Sequence, residues 1–189
     1  LMEINTNPDF FIGYSDLLET PQDASIYNKC LIYLQSYVKR LGSDSFIQFI
    51  PQLLERVFQI IANAALPLNT KLYACDLISL LSQTKFDIGL EQIIVKFLEN
   101  EATYIFVFRI LETAYIALPD YDKYTSILTN LFKTCIVSAS DDCKRCAISF
   151  FKSFIFNVDD PDVFSEDQEL FTILLDQLNK AILENKDQH

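Results

Sequence analysis

Apolar residues recur every three or four positions through most of the chain, and this spacing constrains the fold more than any other feature. A spacing of three and four places side chains on one face of an α-helix, whereas a half-buried strand needs strict alternation. No stretch of the sequence alternates in that way for long. The chain is therefore predicted to be all-α, with about nine helices and no convincing strand. One such stripe consists of Tyr27, Cys30, Leu31, Leu34, Val38 and Leu41.

Turn and cap residues mark helix boundaries at nearly regular intervals. Thr20 is predicted to cap a helix that has Pro21 at its first position and Asp23 in its first turn. Pro51 is predicted to open the next long helix, because proline is well tolerated where the backbone N–H has no helical partner. Between such marks the segments are long enough for helices of several turns.

The predicted helices fall into pairs joined by short connections, which makes neighbouring helices antiparallel. Four such hairpins are predicted, over residues 21–65, 69–100, 103–138 and 141–184. A period of about 35 to 45 residues is typical of two-helix solenoid repeats. We therefore expect one helical-repeat domain over residues 9–184, between disordered ends at 1–8 and 185–189.

Two of the hairpins open with a similar residue pattern. "KLYACDLISLL" places Lys71 three positions before Ala74, with large apolar residues after it. "KRCAISFFKSFI" places Lys144 three positions before Ala147. In this pattern most of the chain resembles HEAT and armadillo repeat proteins. The resemblance implies an α-solenoid, a right-handed stack of antiparallel helix hairpins. Ile110 stands where a third hairpin would have its alanine, and this departure leaves a compact helical bundle open.

Two further resemblances lead to alternative functions. The long, Phe-rich hairpins are similar to those of nuclear transport receptors (karyopherins), a likeness that implies binding of cargo or of a small GTPase. "TKLYACDLISLL", residues 70–81, is similar to the central helix of domains that read the polymerase tail. That likeness implies a compact helical peptide-binding domain. Such domains normally carry basic residues for phosphate, and the acidic balance of this chain counts against it.

The chain is strongly acidic, with 15 basic and 26 acidic residues and a net charge of −11. Phosphate groups are bound by Lys and Arg, so nucleic acid is a poor partner, and so is an anionic membrane surface. A protein with basic segments is the electrostatically favoured partner. The alternative is that the acidity only keeps the surface soluble. Leu1 in place of a start methionine predicts an excised segment, which makes flanking repeats of a longer chain another candidate partner.

The most apolar stretch is "YIFVFRILETAYIAL", residues 104–118. It is shorter than the roughly 20 residues of a membrane span, and it contains Arg109 and Glu112. These two residues lie three positions apart, the spacing of an ion pair on one helix face. We therefore predict a helix covered on most sides by its neighbours, and no membrane insertion.

Cys143 and Cys146 form the closely spaced cysteine pair of the chain. On a helix capped by Ser140 they share an apolar stripe with Ala147 and Phe150, so core packing is the preferred interpretation. A zinc site normally has four ligands, and the other three cysteines are scattered. The alternatives are an incidental reactive thiol and a metal or redox site. An odd number of scattered cysteines is typical of a reducing compartment, which predicts a cytoplasmic or nuclear location, or both.

The residue types present give little support to catalytic chemistry. The one histidine is the terminal His189, so Ser-His and Cys-His nucleophile systems are not expected. The three glycines are isolated and form no phosphate loop. We predict no catalytic, cofactor-binding or metal-binding residue and no cofactor. The preferred function is a non-catalytic scaffold or adaptor within a larger intracellular helical-repeat protein, and an enzyme of unrecognised class is the remaining alternative.

Two acidic connections between helices supply the candidate partner-binding residues. The first is "NVDDPDVFSEDQE", residues 157–169, in which a last helix is predicted to begin at Ser165. The second is "ALPDYDKY", residues 117–124. Carboxylates beside exposed apolar side chains would attract basic groups of a partner. The alternative is that both segments only cap helices. The candidates are Asp120, Tyr121, Asp122, Asp159, Asp160, Asp162, Val163 and Phe164.

Overall fold

The computed structural model is all-α throughout the residues it describes. The described residues are 8–20, 23–41, 46–114, 121–137, 140–157, 168–170, 172–173 and 175–176. For residues 8, 41, 121–127 and 153–157 only the backbone is described. Two 3₁₀ turns lie at Ile47–Phe49 and Glu101–Thr103, and these ranges contain no strand. The predicted disordered ends lie outside the described residues, except that Pro8 begins the first helix. The helices are α1 (Pro8–Asp16), α2 (Ala24–Leu41), α3 (Ile50–Ala62), α4 (Leu68–Ser82), α5 (Leu90–Leu98), α6 (Tyr104–Ala114), α7 (Tyr121–Ile136) and α8 (Asp141–Asn157).

The contacts divide the chain into two compact units, Leu1–Pro119 and Asp120–His189, which we call unit 1 and unit 2. Unit 1 contains α1 to α6, and unit 2 contains α7 and α8. Each unit has its own buried apolar residues. The single repeat domain expected over residues 9–184 spans both units and stays a prediction.

Alternate helices of unit 1 pack side by side, α2 on α4 and α4 on α6, while α3 packs on α4 and α5 packs on α6. Side-chain amides tie α4 to both neighbours. The amide of Gln35 on α2 donates to the carbonyl of Tyr73 at 2.8 Å, and that of Gln83 donates to the carbonyl of Thr113 at 3.1 Å. These bonds fix how far each helix can slide along the next. The apolar core of α4 consists of Ala74, Cys75, Leu77, Ile78 and Leu81.

Helix α6 is covered by its neighbours, as the sequence predicted, and its charged residues pair as predicted. Arg109 Nη1 donates to Oε2 of Glu112 at 3.0 Å. Arg109 also binds Asp76 of α4, with Nε 2.6 Å from Oδ1 and Nη2 donating to Oδ2 at 2.9 Å. Burial raises the pKa of the Asp76 carboxyl, and Arg109 opposes that rise. The buried residues of α6 are Ile105, Phe106, Val107, Phe108, Ile110, Leu111 and Ala114.

A buried arginine joins α3 to the end of α1. Arg56 is 3% exposed, and its guanidinium donates to the hydroxyl of Ser15 at 2.6 Å. Oε1 of Glu19 accepts hydrogen bonds from Nε at 2.9 Å and from Nη2 at 2.6 Å, and Nη2 lies 3.0 Å from Oδ1 of Asp16. Ser15 is buried, whereas both carboxylates remain largely in water. The buried charge is therefore neutralised from the surface side.

The start of α2 differs from the prediction. The helix begins one residue after Asp23, whose Oδ1 accepts from the N–H of Ser25 at 3.1 Å and whose carbonyl accepts from the N–H of Tyr27 at 3.2 Å. Thr20, the predicted cap, lies before the helix, and its carbonyl accepts from the Tyr27 hydroxyl at 3.0 Å. Aspartate caps at least as well as threonine, and Asp23 directly precedes the helical backbone. Pro21 lies outside the described residues.

Replacing Asp23 with alanine is expected to lower the free energy of unfolding by about 1 kcal/mol, the usual contribution of an N-cap side chain. The control is Thr20→Ala, which keeps the carbonyl that Tyr27 uses and is expected to change stability by less than about 0.5 kcal/mol. Urea denaturation followed by circular dichroism measures both variants. Equal losses in the two variants would contradict the assignment of the cap to Asp23.

In unit 2, α7 and α8 pack against each other. The rings of Phe132 and Phe151 stack with their centroids 4.1 Å apart. Helix α8 begins as predicted, because Oγ of Ser140 accepts from the N–H of Cys143 at 3.3 Å, and two aspartates occupy the first turn. The predicted start of the last helix at Ser165 lies outside the described residues, although those described within 168–176 are helical.

Candidate protein-binding groove

The acidic candidates from the sequence lie mostly outside the described residues. Tyr121 and Asp122 form the first turn of α7, where only the backbone is described. The acidic docking edge therefore stays a prediction. The candidates that lie outside are Asp120, Asp159, Asp160, Asp162, Val163 and Phe164.

The cysteine pair is less buried than the sequence predicted. Cys143 and Cys146 are half-buried, whereas Ala147 and Phe150 on the same helix are fully buried. In the described part of unit 2, α7 is the main neighbour of α8, and a single neighbouring helix covers only a narrow stripe. None of the five cysteines is in a disulfide. Among the described side chains, no three or more His, Cys, Asp or Glu residues are placed to hold a metal ion.

A groove on the surface of unit 1 runs between α3 and α5 and reaches the 3₁₀ turn Glu101–Thr103. We call it the α3–α5 groove. It has a volume of about 470 Å³, and most of its lining is apolar. Helix α3 contributes Phe58, Ile61 and Ala62, and α5 contributes Ile93 and Phe97. Both helices lie within unit 1, so the groove is complete within one unit.

Three aromatic rings connect the surface of this groove to the core. The rings of Phe58 and Phe97 meet edge to face with centroids 6.2 Å apart, and those of Phe97 and Phe106 meet in the same way at 6.1 Å. Phe97 and Phe106 are buried, whereas Phe58 is only half-buried. Edge-to-face pairs add about 0.5–1.5 kcal/mol each beyond their area burial. Phe58 is therefore a surface ring held in place by a rigid floor.

Hydrogen bonds hold the end of the groove in shape. The hydroxyl of Thr103 donates to the carbonyl of Phe97, one of the last carbonyls of α5. Oδ1 of Asn100 accepts from the N–H of Ala102 at 2.9 Å. Groups that a helix end and a turn would otherwise leave unpaired are thus bonded to one another. This end of the groove is therefore ordered by bonds within the chain.

The outer face of α3 extends the groove along the helix. Pro51, Leu54, Phe58 and Ala62 recur at spacings of three and four and line a shallow apolar strip beside it. From the first to the last of them the strip is about 16 Å long, or about three helical turns. The strip and the groove share Phe58 and Ala62, so they form one continuous surface.

The charged side chains around this surface are mainly acidic. Glu55 on α3, Glu99 after α5 and Glu101 in the 3₁₀ turn are exposed. Lys96 is the exposed base among the residues that line the groove. Glu55 and Glu99 line the strip and the groove, so two carboxylates against one ammonium group give the rim a negative potential, of the same sign as the net charge of −11.

The lining of the α3–α5 groove combines an apolar surface with the polar side chains of Gln92, Lys96, Glu99, Asn100 and Thr103. An apolar centre with a polar rim is the composition of a protein interface. A second cleft, of about 560 Å³, has Leu18, Tyr27 and Ile60 in its walls. Its lining is about as polar as it is apolar.

Sequence reasoning missed this groove because it predicted only that Pro51 opens a long helix and did not compare the faces of that helix. "PQLLERVFQIIANAAL" carries apolar residues on two faces: Leu53 and Val57 are fully buried, whereas Phe58 is half-buried and Ala62 is exposed. The only signal in the sequence was this second apolar face. The other wall comes from α5, which follows α4 in the chain, and no local pattern predicts that the two helices lie close together.

No described helix is both long and apolar enough to cross a membrane. After α2, the consecutive helices of unit 1 that pack together are α3 with α4 and α5 with α6, whereas the predicted hairpins 21–65 and 69–100 pair α2 with α3 and α4 with α5. Comparison of the chain with protein-family models, curated proteins and solved structures gives no match, so the resemblance to HEAT and armadillo repeats stays a prediction from the residue pattern.

Proposed function

We propose that this chain is a non-catalytic protein–protein interaction module, a scaffold or adaptor, that binds an apolar segment of a partner protein in the α3–α5 groove. The observation that carries the proposal is the half-buried ring of Phe58, which stands on the buried ring of Phe97 among apolar neighbours. An aromatic anchor at the centre of an apolar patch is a common hot spot of protein interfaces. Because the floor is already ordered, a partner that covers Phe58 loses little affinity to ordering this surface.

The packing of unit 1 supports a repeat scaffold as the setting of this groove. Helices α2, α4 and α6 lie side by side, with α3 and α5 packed against that row, which is the order of a two-layer stack of hairpins. The scaffold we propose is a HEAT-like stack within a larger helical-repeat protein. Flanking repeats then cover its ends. The buried thiols of Cys30, Cys75 and Cys135, at separate places in the chain, support a reducing compartment, cytoplasmic or nuclear.

Ala62 and Val95 offer a matched pair of variants for testing this function. Ala62 is exposed, lines the groove and is the last residue of α3. Val95 is 48% exposed on α5 and is not part of the lining. Lysine adds the same charge at either position, and at Ala62 it is favoured by the dipole at the helix C-terminus. We therefore expect both variants to keep the helical circular dichroism of the wild-type chain.

In capture from cell lysate, quantified by mass spectrometry, Ala62→Lys is expected to lose its specific partner by about ten-fold or more. The added ammonium group would have to be buried against an apolar segment without a counter-charge, which is costly. Val95→Lys is expected to retain the partner within about two-fold. Equal retention by both variants would show that the groove is not the binding surface.

A further inference from the structure

We infer that the occupant of the α3–α5 groove is a single amphipathic helix whose polar flanks carry lysine or arginine. This inference rests on the proposed protein-binding function and names the class of its partner. It is carried by the length of the apolar strip, by the way the surrounding backbone is hydrogen-bonded, and by the charge of the rim.

The dimensions of the surface match a short helix. The strip from Pro51 to Ala62 is straight, because it follows one helix, and it is about 16 Å long. A partner helix of about three turns has the same length and presents anchors at positions i, i+3 or i+4, and i+7. Phe58 lies between the two ends of the strip, opposite the place of the middle anchor.

The backbone around the groove offers no edge to an extended peptide. An extended peptide brings N–H and C=O groups that need partners once they are covered. The walls are α-helices, whose backbone groups bond within the helix except in the last turn, and the described residues contain no strand. The two side-chain amides in the lining, of Gln92 and Asn100, do not replace the row of donors and acceptors that a sheet edge supplies. A helix satisfies its own backbone, so it loses the least on desolvation.

The charge of the rim selects basic flanks. The charged residues that line the apolar surface are two exposed carboxylates, Glu55 and Glu99, and one exposed ammonium group, Lys96. Lysine and arginine reach across an apolar contact with their long stems and place their charge in the rim. The net charge of −11 attracts such a helix from a distance and repels an acidic one.

The same charge argues against a second copy of this chain as the occupant. Two copies that met at this surface would bring together two acidic rims, on two chains that each carry −11. Like charges that face each other across an interface are unfavourable, and they slow the encounter. A partner of opposite charge fits the same apolar surface without that repulsion.

The test uses the whole 189-residue chain and three fluorescent peptides of about 15 residues. The probe is an amphipathic peptide of leucine and lysine with leucine at i, i+3, i+4 and i+7. The comparison peptides are a shuffled sequence of the same composition and an amphipathic peptide with glutamate in place of lysine. Fluorescence anisotropy at low and at moderate salt is expected to show the probe binding at least about ten-fold tighter than either comparison peptide, with an affinity that falls as salt rises.

Two sets of variants separate the groove from general attraction between opposite charges. Ala62→Lys is expected to lower the affinity for the probe by about ten-fold and Val95→Lys by no more than about two-fold, although both add one positive charge. The double variant Glu55→Gln, Glu99→Gln is expected to weaken the probe a few-fold and to flatten its salt dependence. The matched control is Asp176→Asn, at an exposed carboxylate of unit 2, which should leave the affinity within about two-fold.

The outcomes distinguish this inference from the proposed function. If the shuffled or the acidic peptide binds as tightly as the probe, or if the two lysine variants weaken the probe equally, the inference of a basic amphipathic helix is overturned. If the Ala62-dependent partner is still captured from lysate, the protein-binding function stands without it. A dimer in analytical ultracentrifugation that Ala62→Lys abolishes would replace the peptide by a second copy. If Ala62→Lys changes neither peptide binding nor capture, both proposals fail.

Discussion

Replacing Arg109 with methionine is expected to lower the free energy of unfolding by about 2–3 kcal/mol at neutral pH. The guanidinium binds Asp76 of α4 through two contacts and Glu112 of α6 through a third. Methionine keeps much of the side-chain volume but leaves two carboxylates, each 24% exposed, without the cation between them. The expected loss is smaller than the roughly 3–5 kcal/mol of a fully buried pair because the Arg109 side chain is itself 34% exposed.

The loss of stability in Arg109→Met should become smaller as the pH falls. Burial raises the pKa of Asp76, Arg109 lowers it, Glu112 adds to the rise and Lys39 opposes it, so removal of Arg109 raises that pKa further. A carboxyl with a raised pKa in the folded state binds more protons there than in the unfolded chain. Its contribution to stability is therefore present at low pH and is lost as the pH rises through the raised pKa. Between neutral pH and the ordinary pKa range of a carboxyl, lowering the pH therefore reduces the difference in stability between Arg109→Met and the wild-type chain.

Urea denaturation at neutral and at mildly acidic pH measures both effects. Adding Asp76→Asn to Arg109→Met removes the buried charge and is expected to restore about half of the lost stability or more. Arg145→Met serves as the control, because Arg145 pairs with Asp142 on the surface of α8 and is 78% exposed, and a change below about 0.5 kcal/mol is expected. A loss that did not depend on pH and that Asp76→Asn did not relieve would contradict the role of this ion pair.

Neutralising the carboxylate partners of Arg56 is expected to lower the free energy of unfolding more than replacing Arg56 itself. In the double variant Asp16→Asn, Glu19→Gln, the buried Arg56 side chain keeps its charge and loses both counter-charges, which is expected to lower the free energy of unfolding by about 3 kcal/mol. In Arg56→Met the two carboxylates, 58% and 53% exposed, return to water, and the buried Ser15 loses one hydrogen bond. We expect this variant to lose about 1–2 kcal/mol.

Chemical denaturation of these two variants and of the triple variant that combines them gives the comparison. Without the guanidinium, the charges of Asp16 and Glu19 no longer compensate a buried cation. The free energy of unfolding of the triple variant should therefore lie within about 0.5 kcal/mol of that of Arg56→Met alone. The argument fails if the double variant of the two acids is the milder change. In that case the buried charge of Arg56 would be compensated by groups other than Asp16 and Glu19.

The features that the sequence predicted correctly each depend on residues within one helix or one turn. Pro51 lies in the first turn of α3, Ser140 caps α8, and Arg109 pairs with Glu112 three positions on. The apolar stretch of α6 is buried as its composition indicated. Helical geometry determines which side chains at such spacings meet, so pattern alone is sufficient there.

The features that the sequence did not predict depend on residues that only tertiary packing brings together. Asp76 joins Arg109 across 33 positions of sequence, and Glu19 joins Arg56 across 37. The α3–α5 groove likewise needs two helices whose separation no periodicity describes. The start of α2 was a choice between two good caps three positions apart, which propensity alone does not decide. The acidic candidates lie in segments that the structure mostly does not describe.

The order of packing in unit 1 has a consequence for how the chain folds. Its main helix contacts join neighbours along the chain or helices separated by one other helix. Each contact therefore closes a short loop, which costs little chain entropy and favours rapid folding. The contacts among α2, α3 and α4 involve no residue after Ser82. This part of unit 1 can thus assemble on the ribosome before α5 and α6 have been synthesised, which shortens the time during which its apolar faces are exposed.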